Sequence, residues 1–205
     1  MRHQVMRAEP DDDPAIAVAL ARAFHNDPMF SFVMPHPLRQ ARGLLRVMAA
    51  GVADARRHGQ IWVARHNSDI VGAAVWFAPG RHARGPLRTL AQLPRLVPNG
   101  FATGRRVPAM LRLLRRIDAA HPPEPHWYLE ILGVDPAHQR AGVGRALIEP
   151  LLDLCDGEAQ PAYLETQKRD NLSWYAHAGF ELLEQLDVAG CPPIWTMQRE
   201  PTRTT

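Results

Sequence analysis

Gly142 and Gly144 stand between an apolar run rich in β-formers, Trp127 to Val134, and a helical pattern with apolar positions at Val143, Ala146, Leu147, Leu151 and Leu154. The run breaks at Asp135-Pro136, and a short polar loop carries the chain into the helix. Glycines in such a loop let a ligand approach the backbone. The helix that follows opens with unpaired N–H groups at the positive end of its dipole. Strand, short glycine loop and helix in that order predict an anion site of phosphate size.

Two familiar phosphate loops are excluded by their own requirements. A P-loop places Gly-Lys-Ser/Thr after its glycines, and here Gly144 is followed by Arg145-Ala146. A dinucleotide fingerprint needs a small residue three places after the second glycine, and that place holds Leu147. The pattern Gln/Arg-x-x-Gly-x-Gly/Ala is present as Gln139-Arg140-Ala141-Gly142-Val143-Gly144, and it resembles the coenzyme A pyrophosphate loop of the GNAT superfamily of N-acetyltransferases. Val134-Asp135-Pro136 before it, Tyr163-Leu164-Glu165-Thr166 after it, and the stretch Asn171 to Phe180 resemble that family's neighbouring strands and helix. The resemblance covers residues 127 to 199. The segments AFHNDPMFSFVMP, VWFAPG and HWYLEILGVDP look most like the puromycin N-acetyltransferase branch.

The resemblance implies an α/β (α+β) fold, a mixed central sheet flanked by helices, with a helical insertion before the central strand. It implies acetyl-CoA as co-substrate, no metal, and direct attack of a primary amine of a small molecule on the thioester. The backbone of Gln139, Arg140, Ala141, Gly142, Val143, Gly144 and Arg145 would face the pyrophosphate, with Arg140 or Arg145 adding charge. Asn171 would bind the pantetheine or phosphate region. In the family the strand before the loop carries a bulge and splays from its neighbour, which makes Leu132, Gly133 and Val134 the backbone donors for the thioester carbonyl. Gly133 is the kind of residue that marks a bulge or a close approach.

Tyr175 matches the family tyrosine that protonates the departing thiolate, and a phenol is a better acid than water for that step. For the base, strand alternation places His126, Tyr128, Glu130 and Leu132 on one face. Glu130 is the leading candidate, needing burial to raise its pKa, and His126 is the alternative; an amine arriving neutral would need neither.

The elements that must position these groups follow from periodicity and turn chemistry. Val5 to Ala8 reads as a first strand. Asp11-Asp12-Asp13-Pro14 opens a helix whose buried face is Ile16, Leu20, Ala23 and Phe24. Asn26 to Pro37 interrupts with three prolines and an apolar cluster, Met29, Phe30, Phe32, Val33 and Met34, that either shapes an acceptor pocket or packs under the helices. A second helix, marked by Ala41, Leu44, Leu45, Met48 and Val52, ends near His58-Gly59. Runs at 61–65 and 70–78 form a hairpin around His66-Asn67-Ser68-Asp69. Residues 80–125 form a helical elaboration with Met110, Leu111, Leu114 and Ile117 on one side and Arg112, Arg115 and Arg116 on the other. Pro150 is expected to bend or locally widen its helix. A strand at 162–166, a helix at 171–178 stopped by Gly179, and strands at 180–188 and 194–199 complete the coenzyme-binding half, leaving a frayed PTRTT tail.

The 205 residues, 46% hydrophobic, bury a core as a single domain. A net charge of +3 suits coenzyme phosphates as well as nucleic acid. Cys155 and Cys191 are far apart and share no metal-type spacing with histidines. The N-terminus lacks a signal-peptide core and no run approaches the roughly 20 apolar residues of a membrane helix. The expectation is a cytoplasmic monomer or homodimer with no membrane partner and nucleic acid an unlikely one. The competing readings are a protein N-terminal or lysine acetyltransferase of the same fold, and a non-catalytic coenzyme-binding or DNA-associated module using the Arg112 to Arg116 helix.

Overall fold

The computed structural model describes residues 3–80 and 106–202. Seven strands form one sheet in the order β1-β2-β3-β4-β5-β7-β6. They are β1 (Gln4–Arg7), β2 (Gln60–His66), β3 (Asp69–Phe77), β4 (Trp127–Val134), β5 (Ala162–Thr166), β6 (Glu181–Leu186) and β7 (Ile194–Arg199). Every neighbouring pair is antiparallel except β4 and β5, so the sheet is mixed as expected. The helices are α1 (Asp13–Ala23), α2 (Pro28–Val33), α3 (Pro37–His58), α4 (Arg106–Ala120), α5 (Val143–Gly157) and α6 (Asn171–His177). The 81–105 part of the expected elaboration lies outside the described residues; the part described is α4.

β3 is buried from Val71 to Phe77 because both faces of the sheet are covered. On one face Val63, Ala73, Val75, Phe77, Tyr128 and Tyr163 pack with Ile16 and Leu20 of α1 and Leu44, Met48 and Val52 of α3. On the other, Ala74, Trp76, Leu129 and Leu164 pack with Leu147, Ile148, Leu151 and Leu152 of α5. α4 closes a smaller cluster, Leu113 against Leu186 and Ile194. Its most buried residues are Ala109 and Leu113, with Met110, Leu111, Leu114 and Ile117 half-buried beside them. Arg116 pairs with Glu184.

One local outcome differs from the sequence expectations. The Asn26 to Pro37 segment contains a helix, α2, because Asp27 accepts from the N–H groups of Met29 (2.9 Å) and Phe30 (3.4 Å) while Pro28 occupies the first turn. Its Val33 and the following Met34 are buried under α1 and α3. α5 runs unbroken through Pro150.

The feature that shapes the site is the way β4 leaves β5. Their parallel pairing consists of Trp127↔Ala162, Tyr128↔Tyr163 and Leu129↔Leu164, after which β4 continues to Val134 and β5 to Thr166 without pairing to each other. β4 also bulges. Val75 pairs with Ile131 and Trp76 with Leu129, which leaves Glu130 as the extra residue. The bulge resets the alternation, so Tyr128 and Ile131 share the α1/α3 face while Leu129 and Leu132 share the α5 face. The expected face of His126, Tyr128, Glu130 and Leu132 is therefore corrected: Leu132 points the other way. Gly133 is a site of close approach and not the bulge itself, since a Cβ there would lie 2.7 Å from Leu20 Cδ2 and 3.0 Å from Ala23 Cβ.

Candidate active site

The loop between β4 and α5 has the backbone of an anion cradle. Arg140 (φ 59°) and Gly142 (φ 79°) both adopt the left-handed conformation, two residues apart. Left-handed residues alternating with right-handed ones turn successive N–H groups toward one concavity. The first intrahelical bond of α5 runs from Ala146 N to Gly142 O (3.1 Å), so the N–H groups of Val143, Gly144 and Arg145 begin the helix without carbonyl partners inside it. A Cβ at Gly142 would meet no atom within 4 Å, so that side of the loop is open to a ligand. These features fit a pyrophosphate.

The other predicted binding residues hold the cradle in shape. Gln139 Nε2 donates to Val134 O (3.0 Å), folding the loop back onto the end of β4. Arg145 Nη1 donates to His177 O (3.0 Å) and joins the start of α5 to the end of α6. Asn171 Nδ2 donates to Thr166 Oγ1 (3.0 Å) at the tip of β5. On the Cα side of Gly144 the space of a Cβ lies 3.2 Å from Trp174 Cζ2, so this glycine admits the α6 tryptophan against α5. Ala141 and Val143 lie within the same loop and helix start, with Val143 buried beneath it.

Leu132, Gly133 and Val134 occupy the β4 arm of the fork. They pair with Ala74, Ala73 and Gly72 of β3 on one side and face no β5 strand partner on the other. Tyr175 lies on the α5 side, 7% exposed, its ring edge-on to Phe180 at 5.8 Å and to Trp174 at 4.9 Å. Burial pushes its hydroxyl well above the usual phenol range.

On the opposite face of the fork lies a polar cluster that sequence reasoning only partly found. Glu165 is the first β5 residue past the last pair, as Glu130 is on β4. The Glu165 side chain is 7% exposed. Tyr128 donates its hydroxyl to Glu165 Oε2 at 2.7 Å, and His121 Nδ1 lies 3.2 Å from Glu165 Oε1. The His121 ring packs on Tyr163 (4.6 Å), Tyr128 (5.0 Å) and His126 (5.6 Å). Burial, the largest cause, and the nearby Glu130 charge raise the Glu165 carboxyl to about 7, against the hydrogen bond from Tyr128 that lowers it. Burial and the Glu165 and Glu130 charges likewise push Tyr128 well above its ordinary value. His126 is buried, its Nδ1 2.8 Å from Glu124 O. Glu165 and His121 were missed. The signal for Glu165 was a carboxylate alternating with Tyr163 inside an apolar five-residue strand, a pattern that places a charge in the core. Among the described residues no helix is long and apolar enough to cross a membrane.

The chain is similar to known proteins along most of its length. A family model described as Acetyltransferase (GNAT) family matches residues 21–180. An uncharacterized N-acetyltransferase of Schizosaccharomyces pombe, C550.08, is 29% identical over 206 residues, covering 95% of this chain and 82% of the relative. The crystal structure of a Corynebacterium glutamicum protein described as histone acetyltransferase HPA2 and related acetyltransferase superposes with a TM-score of 0.75 at 27% identity, covering 100% of this chain and 99% of that one. The Thermoplasma acidophilum paia N-acetyltransferase, solved in complex with coenzyme A, shares the fold at a TM-score of 0.59 and 9% identity, with 98% and 99% covered. With the cradle, the forked strands and a family match over most of its residues, this chain belongs to the acetyltransferase (GNAT) family and is an acyl-CoA-dependent N-acetyltransferase.

Proposed function

We propose that the chain acetylates a primary amine of a small molecule, with Glu165 as the group that takes up the amine proton and Tyr175 as the proton donor to the leaving thiolate. Acetyl-CoA, when bound, supplies a thioester-activated acetyl carbon; the loop backbone from Gln139 to Arg145 holds its phosphates, and N–H groups of Leu132 to Val134 hold its arm and carbonyl. The observation that carries the reading is the buried Tyr128–Glu165 pair at the fork. A carboxyl held at about 7 is half-ionised near neutrality, which matches a proton acceptor to its working pH. Tyr128 relays: its oxygen takes the amine proton as its own passes to Glu165. Glu130, the second carboxylate at the fork, keeps the proton affinity of Glu165 high and attracts the acceptor's ammonium form. Tyr175, held protonated by burial, stands on the other side of the sheet ready to donate.

The small-molecule acceptor is supported by α2. Its aromatic side chains pack onto the α1 and α3 layer, with Phe24 and Phe30 edge to face at 5.7 Å. Arg106 of α4 donates to Phe32 O at 2.8 Å, joining the two elements over that side. This favours an enclosed acceptor site, as does the likeness of the segments AFHNDPMFSFVMP and HWYLEILGVDP to the puromycin N-acetyltransferase branch. A protein acceptor is the second reading, favoured by the histone acetyltransferase description of the Corynebacterium glutamicum relative.

The test is thiol release from acetyl-CoA across aminonucleosides, aminoglycosides, polyamines, histone-tail peptides and N-terminal peptides, with Glu165→Gln and Tyr175→Phe in parallel. Turnover of a small amine that falls on the order of 10²-fold in each variant supports the reading. Turnover of peptides alone overturns the acceptor class, and unchanged rates in Glu165→Gln remove that residue from proton transfer.

A further inference from the structure

Three histidines from three distant parts of the chain meet at the end of the sheet where β2 turns into β3. His3 precedes β1, His66 ends β2, and His138 lies in the short 3-10 turn (Pro136–His138) before the coenzyme loop. Strand pairing brings them together. Gln4 faces Arg65, which sets His3 beside His66. Asp135 N donates to Val71 O (2.8 Å), which carries the His138 turn to the same end of the sheet. The ring centroids are 5.2 Å apart for His3 and His66, 5.1 Å for His66 and His138, and 5.9 Å for His3 and His138. One ligating nitrogen from each ring lies within 4.8 Å of the other two.

Among the described residues, no hydrogen bond to the Nδ1 atoms of His3 or His66 explains this meeting. The Nδ1 atoms of His3 and His66 are buried and have no hydrogen-bond partner among the described residues. A buried polar atom left unpaired costs roughly 1–3 kcal/mol, so two together call for a ligand.

We propose that His3, His66 and His138 form a binding site for a divalent transition-metal ion of the zinc class, with three imidazole ligands and a fourth position for water. A set of three imidazoles with no carboxylate suits Zn²⁺, Co²⁺, Ni²⁺ or Cu²⁺ and is unsuited to Mg²⁺ or Ca²⁺. Tetrahedral Zn–N bonds of about 2.1 Å set the nitrogens roughly 3.4 Å apart. All three side chains are half-buried, and rotation about their own bonds closes the rings onto an ion. The ion ties the edge strand β1, the β2–β3 turn and the segment leading into Gln139 to one point, making the entrance of the coenzyme loop more rigid. This site is independent of the acetyl-transfer chemistry and runs against the expectation of no metal.

The experiment uses the full chain without a polyhistidine tag, stripped with chelator and titrated with Zn²⁺ by calorimetry and with Co²⁺ by visible absorption. The expected result is one ion per chain, a rise in Tm of several degrees, and the intense visible bands of four-coordinate Co²⁺. His66→Ala and His138→Gln are expected to weaken Zn²⁺ by at least tenfold each while keeping the far-ultraviolet dichroism of the parent. Coenzyme A binding by each variant checks that the loop remains folded. A parent chain that binds no stoichiometric ion overturns the proposal, as does undiminished binding in the folded variants. Should both variants unfold, the Co²⁺ spectrum of the parent decides: weak six-coordinate bands count against the site.

Discussion

The Tyr128 hydroxyl donates to Glu165 at 2.7 Å just where β4 and β5 stop pairing, so a phenol and a carboxylate, both buried, join the two arms of the fork. Neither side chain is there for apolar packing alone. A carboxyl removed from water keeps its proton to higher pH, and the raised value of about 7 is a consequence of where the fork opens.

Replacing that carboxyl tests both catalysis and stability. In the parent, kcat/KM is expected to rise with pH through about 7 as Glu165 ionises. Glu165→Gln should flatten this limb and lower the rate at pH 8 on the order of 10²-fold. The stability sign is opposite. Because the folded-state pKa is raised from 4.5, the contribution of Glu165 is fully present below that value and is lost as pH rises through about 7. Thermal melts from pH 5 to 8 should show the parent losing more stability than Glu165→Gln, by up to roughly 3 kcal/mol.

Gly142 separates a backbone requirement from a packing one. With φ at 79° and nothing within 4 Å of a Cβ, Gly142→Ala is expected to cost the fold only about 1 kcal/mol. The added methyl stands on the open side of the cradle, so coenzyme A affinity should fall about tenfold, a loss of roughly 1.4 kcal/mol. Calorimetric titration alongside a melting curve checks both numbers. An unchanged Kd removes the loop from phosphate binding.

Tyr175→Phe should leave the fold within about 1 kcal/mol of the parent, since the ring keeps its contacts with Phe180 and Trp174. The expected effect is a fall in kcat on the order of 10²-fold with little change in coenzyme Kd. Single-turnover thiol release measures it, and equal rates exclude the hydroxyl as the proton donor.

The C-terminal strand is fastened by charge. Arg199 donates from Nη1 and Nη2 to the two oxygens of Asp156 at 2.8 and 2.7 Å, and Thr202 N adds a bond at 2.7 Å. The Arg199 hydrogen bond, the largest cause, holds the Asp156 carboxyl below its usual value. This contribution is present above the unfolded pKa, near 4, and is lost as pH falls through the lower folded value. Asp156→Asn is expected to destabilise by about 1–3 kcal/mol at pH 7 and to be less acid-sensitive than the parent in melts between pH 5 and 2.5.

Much of the architecture was legible because its causes are local. Asp135-Pro136, the glycine loop and the amphipathic pattern after it mark a strand, a turn and a helix start through backbone preferences that act within a few residues. The same holds for the β2–β3 hairpin and for the helix ending at Gly179. Asp27-Pro28 carried an equally local capping signal for α2, concealed by the surrounding prolines.

What the sequence alone determined, then, is the family, the order of the elements and the glycine loop before α5, because each rests on short-range spacing. The tertiary structure alone decided which side chains meet. A one-residue bulge at Glu130 reversed the facing of Leu132, since alternation along a strand counts every residue and cannot register an extra one. The Glu165 pKa depends on burial between β4, β5 and the end of α4. The meeting of His3, His66 and His138 depends on pairing across four strands. Such contacts are set by packing between segments far apart in the chain, and no spacing within one segment encodes them.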